Sequence, residues 1–120
     1  MRGTISQNHM KKFLVLYRMD MAAMQKMMES TSAEERQKGM AEWGVWMKKH
    51  TKDFADMGGP TGKNTQVGKS GASEMSNDIG GYSIVQAESK EAVAAMMADN
   101  PHFMMPGAVI DVMEVVPMGM

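Results

Sequence analysis

Residues 10–18 read MKKFLVLYR, and the fold follows from how this stretch distributes its apolar side chains. As a strand, Lys12 to Arg18 turns Phe13, Val15 and Tyr17 one way and Leu14 and Leu16 the other. Both faces are apolar, so the strand must be covered on both sides. Helices can supply one cover. A second subunit's sheet is the simplest source of the other.

Outward from this strand, Asp20 to Glu29 is helix-prone, with Met24, Met27 and Met28 on one side. Ser32-Ala33-Glu34-Glu35 is a capping box opening a clearer helix. Met40, Trp43, Met47 and Phe54 follow at spacings suited to one helical face, with Glu42 and Trp46 on an adjoining one. Gly58-Gly59-Pro60 should end this helix near Met57. Residues 58–80 are rich in Gly, Ser, Thr and Asn. They hold one weak strand near Thr65 to Gly68, and then a turn in which Gly71 to Asn77 should be the most mobile interior stretch. GYSIVQA, Gly81 to Ala87, is a second strong strand, and Ser89 caps a helix running to Met97 with Ala92, Val93, Met96 and Met97 as its apolar side. Asn100-Pro101 closes that helix. Val109 to Val116 is the last strand.

This βαββαβ order predicts an α+β, ferredoxin-like domain: a four-stranded antiparallel sheet with two main helices on one face. The other sheet face is left bare, which predicts a homodimer. Residues 10–120 form the domain. Residues 1–9 read as an N-terminal extension, either a cloning remnant or an overlong start.

Composition narrows the chemistry. The 120 residues fit one domain, burying roughly two-thirds of the unfolded chain's surface. Thirteen basic and fourteen acidic residues give a net charge of −1, so no nucleic-acid footprint appears. Lys48, Lys49 and Lys52 read as favourable charges at a helix end. With no cysteine, disulfides and thiolate chemistry are excluded. His9, His50 and His102 show no metal-ligand spacing, and no cofactor is expected. No apolar run is long enough to span a membrane, and residues 1–9 have no secretory character, so a cytoplasmic location is the default expectation. The stretch GKNTQVGKS, residues 62–70, misses the P-loop spacing by one residue. Methionine is abundant, at 18 of 120, and is read as adaptable core and interface packing rather than as soft-metal binding.

Several segments taken together resemble the YCII-related, or DGPF-like, family: MKKFLVLYR, EWGVWMKK, MGGPTG, GGYSIVQAES, NPHF and VIDVMEVVPM. The resemblance spans residues 10–118. It implies a ferredoxin-like protomer pairing sheet to sheet as a dimeric α+β barrel, with a cleft between helices and sheet. The His–Asp pair proposed for that family would fall at Glu42 and Asn100, where neither residue type is kept. The Asp-Gly-Pro-Phe segment is replaced by SEMSNDIGG. The acid–base pair is therefore not carried over.

His102, in Asn100-Pro101-His102-Phe103, remains the best candidate for chemistry near neutral pH. Two readings stand: His102 lines a cleft, or it closes a helix end by hydrogen bonding. In the first, Tyr17, Asn100 and Met104 are ligand-binding candidates, and Glu42 or Asp111 would orient the imidazole. Glu42 also reads as part of a solvated helix face, and Trp43 and Trp46 as core and interface. The function this favours is binding of a small apolar or aromatic molecule near His102. The alternatives are a cofactor-free lyase or hydrolase using His102, and a regulatory interaction module, since DGPF-like domains are sometimes linked with alternative sigma factors.

Overall fold

The computed structural model describes residues 10–118; the expectations for residues 1–9 lie outside them. In chain order the elements are β1 (Lys11–Arg18), α1 (Met21–Ser30), α2 (Ala33–Lys49), a 3-10 turn (Thr51–Asp53), β2 (Phe54–Pro60), β3 (Asn64–Gly68), β4 (Gly71–Met75), β5 (Ile79–Ala87), α3 (Lys90–Met97), a second 3-10 turn (Pro101–Met104) and β6 (Val109–Val115). The chain is thus α+β. Its main sheet has the strand order β2-β5-β1-β6, with every neighbouring pair antiparallel, and β3 and β4 form a separate two-stranded sheet.

β1 lies in the middle because it is apolar on both sides. Phe13, Val15 and Tyr17 are buried and pack with Val85 of β5, Trp46 of α2, and Val93 and Met97 of α3. The opposite face is set by register. Leu14 stands across from Ile84 and Met113, Leu16 across from Tyr82 and Asp111, and Lys12 across from Val115. Residues facing each other across a ladder share a face. This second face carries an apolar row that lies outside the buried core. Met113 and Val115 are 42% and 51% exposed.

Each helix start is capped as its sequence dictates. Asp20 accepts from the Ala23 amide and Ser89 from the Ala92 amide. Ser32 and Glu35 complete a reciprocal capping box. α2, however, stops at Lys49, not near Met57. The Thr51 hydroxyl donates to the carbonyls of Met47 and Lys48, which satisfies acceptors left free at the helix end. Phe54 then leaves the helix, pairs opposite Val85 in β2 and sets its ring edge-on to Trp46 at 5.8 Å. Trp46, placed on a secondary face by the sequence reading, is the buried residue of α2, while Met40 is 73% exposed.

Two further expectations change. Gly71 to Met75 is a regular strand, not a turn. The methionines contribute less to the core than expected: among the described residues only Met97 joins the buried core, with Met47 and Met96 packed against it, and the rest are half-buried or exposed. α1 is a third helix and buries none of its residues.

Candidate functional site

Of the residues singled out from the sequence, Asn100, His102 and Tyr17 come together at the exit of α3, where the chain turns back toward the sheet. Asn100 is buried, and its Oδ1 accepts from the His102 amide at 2.7 Å. Pro101 supplies the fixed backbone angle that starts the 3-10 turn. Together they drive His102 into the interior, where it is 2% exposed.

The imidazole is occupied there by backbone. Nε2 lies 2.7 Å from the Arg18 carbonyl oxygen and 3.2 Å from that of Val109. Both partners are acceptors only, so Nε2 carries the hydrogen and donates to both. Arg18 and Val109 are facing residues at the end of the β1–β6 ladder. His102 therefore ties the end of one strand to the start of the next.

Tyr17 is beside it, ring edge to ring at 5.6 Å. Its hydroxyl is 3.0 Å from Ser83 Oγ, and Ser83 Oγ is 2.8 Å from the Met57 carbonyl oxygen. That carbonyl can only accept, so Ser83 donates to it and Tyr17 donates to Ser83. Burial pushes the Tyr17 phenol above its ordinary pKa, and the Ser83 hydrogen bond partly offsets this. The relay crosses β1, β5 and β2 at the irregular stretch of β2 between Asp56 and Gly59. Gly58 permits that irregularity: it has φ +70°, and a Cβ there would overlap the Tyr82 carbonyl oxygen.

The other candidates do not join His102. Glu42 is exposed on α2. Asp111 lies on the opposite sheet face, 2.8 Å from Arg18 Nη1. Met104 is 67% exposed. Asn100 is adjacent, but its amide and carbonyl oxygen serve the turn. An orienter–histidine pair is not formed by Glu42 or Asp111, and the physical reason is topology: α2 offers its Glu42 side to solvent, and Asp111 points away through the sheet.

Of the shallow grooves on the described surface, the two best formed are not lined by His102. The larger, about 440 Å3, runs between α2 and the exit of α3. Ala41, Val45, Trp46 and Pro101 give it an apolar floor, and Lys38, Glu42, Lys49 and Asp99 its rim. Trp46 Nε1 donates to Asp99 at 3.0 Å, and Lys49 reaches the same carboxylate at 3.3 Å. These bonds, first that of Trp46 and then that of Lys49, hold the Asp99 carboxyl below its usual range. Sequence reading missed Val45 and Asp99, which carry no motif; only the helical spacing of Glu42, Val45 and Lys49 hinted at a shared face.

On the bare sheet face, Arg18 holds two carboxylates. Asp78 receives a bidentate contact at 2.9–3.1 Å, and Asp111 a single one. The guanidinium is pushed up in pKa and Asp78 down by this pairing. Among the described residues no group of His, Asp and Glu is arranged to hold a metal ion, and no helix is long and apolar enough to cross a membrane.

No family model and no curated protein matches the chain.

Proposed function

We propose that this chain is a YCII-like, ferredoxin-like module that pairs sheet to sheet as a homodimer, binds a small apolar or aromatic molecule in the groove between α2 and the exit of α3, and performs no acid–base chemistry at His102. The observation that carries the non-catalytic reading is the bonding of His102. Its Nε2 hydrogen is committed to two backbone carbonyls in a site 2% exposed. A general acid or base needs a substrate proton within hydrogen-bond reach. The groove supports the binding reading. The groove is shallow, and its apolar floor with a few charged groups at the rim suits a flat apolar or aromatic molecule. The strand order β2-β5-β1-β6 and the apolar row on the open face support the ferredoxin-like, dimeric reading.

Titration with small aromatic acids, benzoate and indole acetate among them, followed by tryptophan fluorescence, tests the groove. Trp46 in its floor reports occupancy. Val45→Glu should abolish the response without loss of stability, because Val45 is 71% exposed. His102→Ala should leave binding intact in the folded fraction while lowering the melting temperature. Loss of binding in His102→Ala at unchanged melting temperature would restore the histidine as a site residue and defeat this reading.

A protein-interaction module is the second reading, favoured by the high exposure of Met40, Val45 and Met104 on and near α2. An open groove of this kind also accepts a peptide segment, and a regulatory partner would take the place of the small molecule.

A further inference from the structure

The β3–β4 hairpin is folded, yet almost all of it stands exposed. Its ladder is regular, from Asn64 opposite Met75 to Gly68 opposite Gly71. Nine of its ten strand residues are exposed, and only Asn64 is half-buried. A two-stranded ribbon by itself is marginally stable in water. This one continues the β2–β5 pair beyond the end of the main sheet. At its root the Thr61 amide donates to the Gly80 carbonyl at 3.1 Å and the Thr61 hydroxyl to that of Ile79 at 2.8 Å. Five residues at about 3.4 Å each carry its tip roughly 17 Å outward. At the tip Val67, 77% exposed, faces Ala72.

The chemistry of this arm narrows its partner. Residues 62–77 contain two lysines, one glutamate and no aromatic side chain. A phosphate backbone calls for a basic stripe, and a membrane surface for aromatic and apolar bulk. A near-neutral ribbon of small polar residues with a Val–Ala tip suits a protein surface.

We infer that the hairpin is a clasp that packs on a second copy of this chain, extending the sheet-to-sheet contact. The inference rests on the homodimer proposed above. The open face has little apolar surface left to bury, since Leu14, Leu16, Tyr82 and Ile84 are already half-buried within the chain and only Met113 and Val115 among their facing neighbours are well exposed. A stable interface covers on the order of 800 Å2 on each partner. The face alone falls short. The hairpin grows out of β5, which carries Tyr82 and Ile84 of that face, so it stands at the margin of the surface the second copy covers and supplies further area.

Sedimentation equilibrium on the full chain is compared with a variant in which Lys63 is joined to Ser76 through an Asn-Gly turn, and with Val67→Glu in the intact chain. Both changes should weaken dimerisation at least tenfold while the far-ultraviolet circular dichroism of the main sheet is kept. Because the chain has no cysteine, Val67→Cys places a single thiol at the tip for a photo-crosslinker. In expressing cells it should capture peptides of a second, differently isotope-labelled copy. An unchanged dimer in Val67→Glu, or capture of a different protein or of the arm's own chain only, overturns the clasp while leaving the sheet-to-sheet dimer standing. A monomeric full chain overturns both.

Discussion

His102 shows how one side chain's role depends on what the backbone brings to it. Removing the imidazole strands two carbonyls, those of Arg18 and Val109, in a buried joint. His102→Ala should therefore cost about 1–3 kcal/mol, read by chemical denaturation. Gly58 is held as tightly by geometry. Its positive φ and the Tyr82 carbonyl leave no room for a methyl group, so Gly58→Ala should cost roughly 1–3 kcal/mol or more in the same assay. The carboxylates give a pH dependence whose sign follows from their partners. Arg18 lowers Asp78, Trp46 and Lys49 lower Asp99, and the Ser32 amide lowers Glu35. A carboxyl depressed in the folded state contributes stability above its unfolded pKa and loses it as pH falls through the folded one. The melting temperature should hold near neutrality and fall below about pH 4. In Asp78→Asn that acid-side fall should be shallower, and an unchanged acid limb would remove Asp78 from the account. From sequence, His102 stood out by its Asn100-Pro101-His102-Phe103 setting, with its two readings unresolved. The Arg18–Asp78 pair was invisible because its partners are sixty residues apart.

Elements with local signals were legible, and those held by distant partners were not. The capping box Ser32–Glu35 needs only neighbours three positions apart, and it forms as read. Ser32→Ala should lower stability by about 1 kcal/mol, measured by thermal melting, because it removes the acceptor for the Glu35 amide. β1 and α3 were likewise legible, since the buried Phe13, Val15 and Tyr17 alternate along the strand and the buried Val93 and Met97 stand four apart on the helix; β5 and β6 were legible from their apolar content. β2 was not. Phe54-Ala55-Asp56-Met57 carries no strand alternation, and its exposed residues are held by pairing to β5 and by the Ser83 hydroxyl on the Met57 carbonyl. α2 was read too long for the same reason: Phe54 fits the helical spacing equally well, and packing on Trp46 decides against it. β4 is a strand only because β3 faces it.

At the scale of the whole molecule the two faces of the sheet separate cleanly. Val15 is wholly buried beneath the helices, so Val15→Glu should abolish cooperative folding. Leu14 is on the open face, half-exposed, and Leu14→Glu should keep the fold and abolish the proposed dimer, seen as monomer by light scattering at micromolar concentration. A dimeric, folded Leu14→Glu protein would place the contact elsewhere. What the sequence by itself determined was the set of elements whose patterns are local: the strands apolar on one or both sides, the capped helices, and the presence of more apolar sheet surface than one chain covers. What only the tertiary structure decided was where that surface lies and what the polar residues do. Facing register assigned Leu14, Tyr82, Ile84 and Met113 to one side. It also sent Asp111 away from His102 and delivered the carbonyls of Arg18 and Val109 to the imidazole. These are contacts between residues far apart in sequence, and no local pattern encodes which backbone carbonyl a buried donor will meet.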